Sequence, residues 1–171
     1  MAIISSLEKE QVEGAVKAIY EKFEKDAGKV PEWVKVMAHD PKIVKEFTEL
    51  FKVIMSESTI EPLLRWKIAY VVSDSLKCPF CVDVTKRMLK ILGASEEVLE
   101  KVKQSEGETV QEKEVLQLVR EVTLKANVCT PELFEKLKKK FSEKELVEIV
   151  SIIGLFNYIN RFNNTFCILP E

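Results

Sequence analysis

The sequence is poor in the residues that most kinds of functional site require. It has a single histidine, His39, so no second imidazole is at hand to build a metal centre or a catalytic pair. It lacks an excess of either charge: the formal net charge is -2 although 32% of residues are charged, which argues against a phosphate backbone as partner. No run approaches the roughly 18 unbroken apolar residues of a membrane span, and MAIISSLEKE turns polar too soon for a signal peptide. A soluble cytoplasmic protein is expected. Four cysteines (Cys78, Cys81, Cys129, Cys167), only two of them close together, do not make a secreted disulfide framework. No strand pair, low-complexity segment, long linker or internal repeat is apparent.

What the chain does have is apolar residues at helical spacing; 46% of 171 residues are hydrophobic, enough for one substantial core. The spacing of Val12, Ala15, Val16, Ile19 and Phe23 behind Ser5 and Glu8 predicts a capping box and a helix over residues 6–27. Asp40-Pro41 opens a second, with Ile43, Val44, Phe47, Leu50, Phe51 and Ile54 on one stripe. A third, central helix is expected from about Ile60 to Leu76, and a fourth from Cys78-Pro79 to Gly93. Ser95 starts a short helix, Gly107 marks a loop, and another helix ends near Lys125. Thr130-Pro131 and Ser142 with Glu145 start two more, the last running to about Phe162 and apolar all round, hence buried. The fold class is all-α, read as one helical domain over 1–171, with N-terminal helices in 1–57 and the core in 58–171.

The chemistry concentrates at Cys78-Pro-Phe-Cys81. Cysteines three apart at a helix start share a face, and the unpaired amides there favour a thiolate, with Lys77 adding positive charge. Such a pair can cycle between dithiol and disulfide. It can equally be inert packing, or half of a zinc site completed by Cys129 and Cys167. Spacing alone leaves these open.

The stretch KCPFCVDVTKRMLKILGAS resembles the cysteine-bearing helix of the alkylhydroperoxidase D-like family, which includes the carboxymuconolactone decarboxylases. VPEWVKVMAHDPKIVKEF upstream and GLFNYINRFNNTF downstream, with Asn160 and Arg161, are similar to further segments of that family. Residues 30 to 168 are covered, and the likeness is to the peroxidase-related branch. The resemblance implies a helical bundle, no bound cofactor or metal, and a homo-oligomer. It implies that Cys81 reacts with peroxide, that Cys78 resolves the product as a disulfide, and that an external dithiol recycles the pair. It also exposes two departures. The family's glutamate position is Trp66 here, and its histidine position is Thr85.

Lowering a cysteine pKa from about 8.5 to about 7 raises the thiolate fraction at pH 7 about fifteen-fold, whereas a positioned acid or base contributes roughly 10²- to 10⁴-fold. The lost relay therefore outweighs helix-start activation unless another group substitutes. Tyr70 and Ser73 are one turn away, with Lys67, Asp74 and Asp83 near, and Thr85 can donate a hydrogen bond to a thiolate. Three functions remain: a thiol-disulfide oxidoreductase or peroxidase acting on a small peroxide or disulfide; a non-catalytic relative with a vestigial or redox-sensing pair; and a lactone decarboxylase, disfavoured by the absent histidine.

Other residues read as structural. His39 is a loop histidine with no close cysteine or second histidine, and Asn160 with Arg161 suggests buried polar groups that need partners. Trp33, Trp66, Tyr20 and Phe80 suit packing, and Phe80 also suits an apolar entrance to the thiols. Lys136, Lys138, Lys139 and Lys140 form a solvated helix end with Leu137 turned inward.

Overall fold

A computed structural model describes residues 2–125 and 131–170, Leu133 by its backbone alone. A 3-10 turn (Lys9–Gln11) precedes α1 (Gly14–Ala27), α2 (Glu32–Met37), α3 (Pro41–Ser56), α4 (Pro62–Ser75), α5 (Pro79–Ile91), α6 (Glu96–Lys103), α7 (Val110–Leu124), α8 (Pro131–Leu137) and α9 (Glu143–Thr165). Among the described residues there is no strand. The helix starts follow from the local chemistry of their caps. Asp40 accepts from the amides of Lys42 and Ile43, Ser95 from Val98 and Thr109 from Glu112. Ser142 and Glu145 form a reciprocal capping box. Thr130, expected to cap α8, lies outside the described residues.

The first helix differs from its expectation. It starts at Gly14, because Val12 and Glu13 are extended and the capping box belongs to Glu8 and Gln11 of the 3-10 turn. Long-range bonds hold this segment out of helical register: Leu7 N donates to Lys35 O at 3.2 Å, and Tyr20 Oη donates to Leu7 O at 2.8 Å. Ser5 instead meets His39, whose Nε2 is 2.8 Å from Ser5 O, so the lone histidine ties the N-terminal strap to the start of α3. The helix α2 was not anticipated; its Trp33, Val34, Val36 and Met37 are buried on several sides, which hides the periodicity of so short an element.

The core is organised around α4. Trp66 meets Phe156, Ser73 meets Asn160 and Leu76 meets Asn164, so α4 and α9 run side by side in the same direction. Lys67 to Glu112 and Asp74 to Arg120 set α7 parallel to α4 on another flank. Ile68, Ala69, Val71 and Val72 are completely buried between these neighbours. By contrast α9 is not buried all round: Val147 is 66% exposed and Val150 41%. Its inner face carries Leu146, Ile149, Ile152, Ile153, Phe156 and Ile159, and it continues to Thr165, past Phe162, because Asn160 and Asn163 face α4 and α5. Arg161 is on the outer face and exposed, contrary to the buried position expected of it. Leu137 is buried beneath the exposed lysines of the α8 end, as expected.

One charge lies inside this core. Lys67 is 1% exposed, and its Nζ holds Glu108 at 2.7 Å and Glu112 at 2.6 Å, fastening the α6–α7 loop to α4. Removing one member of a buried ion cluster leaves its partners uncompensated, at about 3–5 kcal/mol. Lys67→Ala is therefore expected to lower unfolding free energy in urea by about 3 kcal/mol. The double variant with Glu112→Ala should cost at least about 1 kcal/mol less than the sum of the singles; strict additivity would show that the cluster holds nothing.

Candidate redox site

The close of α4 creates the site. Leu76 N donates to Val72 O, Lys77 N to Asp74 O at 3.2 Å and Cys78 N to Ser73 O at 3.3 Å, with Lys77 in the left-handed region at φ 52°. This wrap ends one helix and leaves Cys78 extended (φ -89°, ψ 107°) as N-cap of the next, Pro79 supplying a first-turn residue that needs no N–H partner. Cys81 follows in the first turn of α5. The Lys77 side chain is not spent on the thiols; it is 76% exposed and its Nζ is 3.4 Å from Asp74.

Both cysteines are free, and they are unequal in exposure and in surroundings. Cys78 is wholly buried, whereas Cys81 retains 4% exposure and borders a cavity. A hydrogen bond from the Cys81 thiol draws the Cys78 pKa down against the cost of burial, helped by the backbone amides of Cys81 and Phe80. Sharing that proton with Cys78, burial, and the charge on Cys78 push the Cys81 thiol up, opposed by a hydrogen bond from Asn163. The two thiols are thus coupled, the inner one drawn down and the outer one pushed up.

The cavity above Cys81 has a volume of about 520 Å³. Phe23 from α1, Trp33 from α2, Phe51 from α3, Trp66 from α4, Phe80 from α5 and Phe156 from α9 supply aromatic walls. The rings are fixed by edge contacts: Trp33 with Phe23 at 5.9 Å, and Trp66 with Phe156 at 6.1 Å between centroids. The charged side chains that line it are Asp26, Lys29 and Arg87, all exposed. Phe80 lines the cavity, as expected.

The two relay positions meet here. Trp66 and Thr85 both border the cavity with Cys81, and neither presents a base. The Thr85 hydroxyl is 2.7 Å from Cys81 O and 3.2 Å from Val82 O, so it bonds the helix backbone and not a thiolate, a correction to its expected role. Tyr70 does not line the cavity; burial raises its pKa, with Asp74 and Glu100 near. Ser73 donates to Ala69 O at 2.8 Å. Asp83 pairs with Arg87 at 2.7 Å, Asp74 lies beside Lys77 and Arg120, and Lys67 is held by its glutamates. Ser73, Lys67, Asp74 and Asp83, considered as substitutes, are thus engaged elsewhere, and Tyr70 lies away from the cavity. Cys167 is exposed at the end of α9 and Cys129 lies outside the described residues; among the described residues no group of three potential ligands could hold a metal.

One residue of the site escaped the sequence reading. Asn163 is completely buried and its Nδ2 donates to Cys81 Sγ at 3.2 Å. Its position, one helical turn after Asn160 on the same face, was the available signal.

No family model matches the chain. An uncharacterized Escherichia coli K12 protein, YnjA, is 26% identical over 126 residues, which is 67% of this chain and 68% of that one. An uncharacterized peroxidase-related protein from Ralstonia eutropha JMP134, with an alkylhydroperoxidase D core, superposes with a TM-score of 0.89 at 19% identity, covering 99% of this chain and 92% of its own. An Agrobacterium tumefaciens protein of unknown function, proposed to be the antioxidant-defence protein AhpD, is 27% identical with a TM-score of 0.73, over 80% and 95% of the two chains. The chain has the alkylhydroperoxidase D-like fold. In this alkylhydroperoxidase D-like fold the thiols stand where α4 ends and α5 begins, with Asn163 of α9 beside them.

The coupling of the two thiols has a spectroscopic consequence. Thiolate absorbance near 240 nm should appear as the first proton leaves the pair, below the ordinary thiol range of about 8.5, and the second proton should persist well above it. In Cys78→Ser the Cys81 thiol, freed of a neighbouring negative charge, should titrate lower than it does in the wild type. Two independent, ordinary thiol titrations would contradict the coupling.

Proposed function

We propose that the protein is a thiol-dependent peroxidase or thiol-disulfide oxidoreductase that uses Cys81 as the attacking sulfur and Cys78 as the resolving one. The observation that carries this reading is the asymmetry of the pair: the outer sulfur borders a cavity of about 520 Å³ and the inner one is covered. Access selects Cys81, while the helix amides concentrate charge on Cys78. Cys78 is then the base for its neighbour. The Cys81 proton passes to the Cys78 thiolate, and the Cys81 sulfur attacks the terminal oxygen of a hydroperoxide. The O–O bond breaks, giving a Cys81 sulfenic acid and an alkoxide, which takes up a proton from solvent or from Cys78. The Cys78 thiolate next attacks the Cys81 sulfur, the S–O bond breaks, and hydroxide leaves to be protonated to water. Two thiols and ROOH become a disulfide, ROH and water. An external dithiol then reduces the disulfide through a mixed disulfide, consistent with life in a reducing cytoplasm.

The fold relatives described as peroxidase-related or as antioxidant-defence proteins support this reading. Apolar side chains left exposed on α3 and α9, among them Leu50, Val53, Val147 and Val150, suit association with further copies. Among the described residues no helix is long and apolar enough to cross a membrane.

A second reading, a redox sensor oxidised once per signal, draws on Trp66 and Thr85. With tryptophan and threonine at the relay positions, the rate lacks the roughly 10²- to 10⁴-fold that a dedicated acid or base supplies. Titration with an organic hydroperoxide and excess dithiol separates the two. The peroxidase turns over many times, loses at least about 100-fold of its rate in Cys81→Ser, and in Cys78→Ser forms no internal disulfide. A wild type that consumes one equivalent and stops is a sensor, and the enzymatic reading fails.

A further inference from the structure

Two sulfurs compete for one negative charge, and the competition decides which can attack. The amides of Phe80 and Cys81 favour Cys78. On the Cys81 side a single side-chain donor stands against them, the Asn163 amide, with Nδ2 at 3.2 Å from Sγ. Asn163 is completely buried, and its Oδ1 has no hydrogen-bond partner. A buried carboxamide with an orphaned oxygen is costly to the fold, and an apolar residue would relieve the cost. Asn160, one turn earlier, is anchored by donating to Ser73 Oγ at 3.2 Å and to Phe156 O at 2.6 Å. Among the described residues Asn163 has no such anchor in the helix or in α4; its side-chain bond is to the reactive sulfur.

We propose that Asn163 is a positioning residue that directs attack to Cys81, its amide N–H holding negative charge on that sulfur as the proton passes to Cys78. The assignment rests on the reading of Cys81 as the attacking thiol. In the absence of a glutamate and a histidine at the site, this donor is what makes the cavity-side sulfur competitive with the inner one. A hydrogen bond to a charged group strengthens when the charge arrives, so Asn163 stabilises the Cys81 thiolate more than the Cys81 thiol. The bond also fixes Sγ relative to α9, and with it the line of approach from the cavity. The ionisable groups around this sulfur are Cys78 in the same turn and, lining the same cavity, Arg87 of α5 with Asp26 and Lys29. From α4 the cavity receives Trp66, and from α9 Phe156, Ile159 and Asn163, none of them charged.

The test uses limiting iodoacetamide on the full chain from about pH 6 to about pH 9, with each cysteine followed by peptide mass, in the wild type, Asn163→Ala and the isosteric Asn163→Asp. Cys81 should be alkylated ahead of Cys78 in the wild type. In Asn163→Ala its rate at neutral pH should fall about ten- to a hundredfold and its pH midpoint should rise by about one to two units, while Cys78 changes little. Asn163→Asp keeps the shape and opposes the charge, so its Cys81 should be slower still. An unchanged Cys81 rate and midpoint in both variants overturns the proposal, as does an equal change at both cysteines. Peroxide turnover is measured in parallel: a wild type without turnover refutes the peroxidase reading, and the alkylation profile still decides the role of Asn163.

Discussion

The site depends on the way α4 stops. A helix that ran on smoothly past Ser75 would present its cysteines to the core like any other small side chains. The left-handed Lys77 and the bond from Cys78 N to Ser73 O break it at one residue, so that Cys78 becomes the N-cap of α5. Free amides of a first helical turn then face a sulfur, and the next cysteine in the turn lies close enough to share its proton. Charge, access and spacing all descend from that single reversal.

The remainder of the bundle gives the two sulfurs different environments. Cys78 is fully buried, while residues of α1, α2 and α3 join α4, α5 and α9 in lining the aromatic cavity beside Cys81. An aromatic, weakly polar chamber of this kind accepts apolar groups more readily than water-like ones, and it raises the cost of any unpaired charge placed in it. Tryptophan and threonine at the two relay positions are consistent with such a chamber.

Much of this was legible in the chain. Asp40, Ser95 and Ser142 announce their helices because a cap acts on amides two or three residues away, a purely local interaction. The helical character of 62–75 and 79–91 follows from periodicity and proline placement in the same way. The errors fall where distant partners intervene. The strap before Gly14 is extended because Lys35 and Tyr20 claim Leu7, and no local signal reports a partner thirteen to twenty-eight residues away. The outer face of α9 was misjudged because valine reads as core wherever it stands, although the number of neighbouring helices sets how much of a helix can be covered.

By itself the sequence determined an all-α bundle, a cysteine pair spaced to meet at a helix start, and the absence of an acid or base at Trp66 and Thr85. These are matters of residue identity and of interactions within one or two turns. Tertiary structure alone decided which sulfur meets the cavity, that the Thr85 hydroxyl turns to the backbone, and that Asn163, 82 residues away along the chain, bonds Cys81. The reason is physical: exposure and hydrogen-bond partnership are properties of packed surfaces, and they do not exist until α4, α5 and α9 have come together.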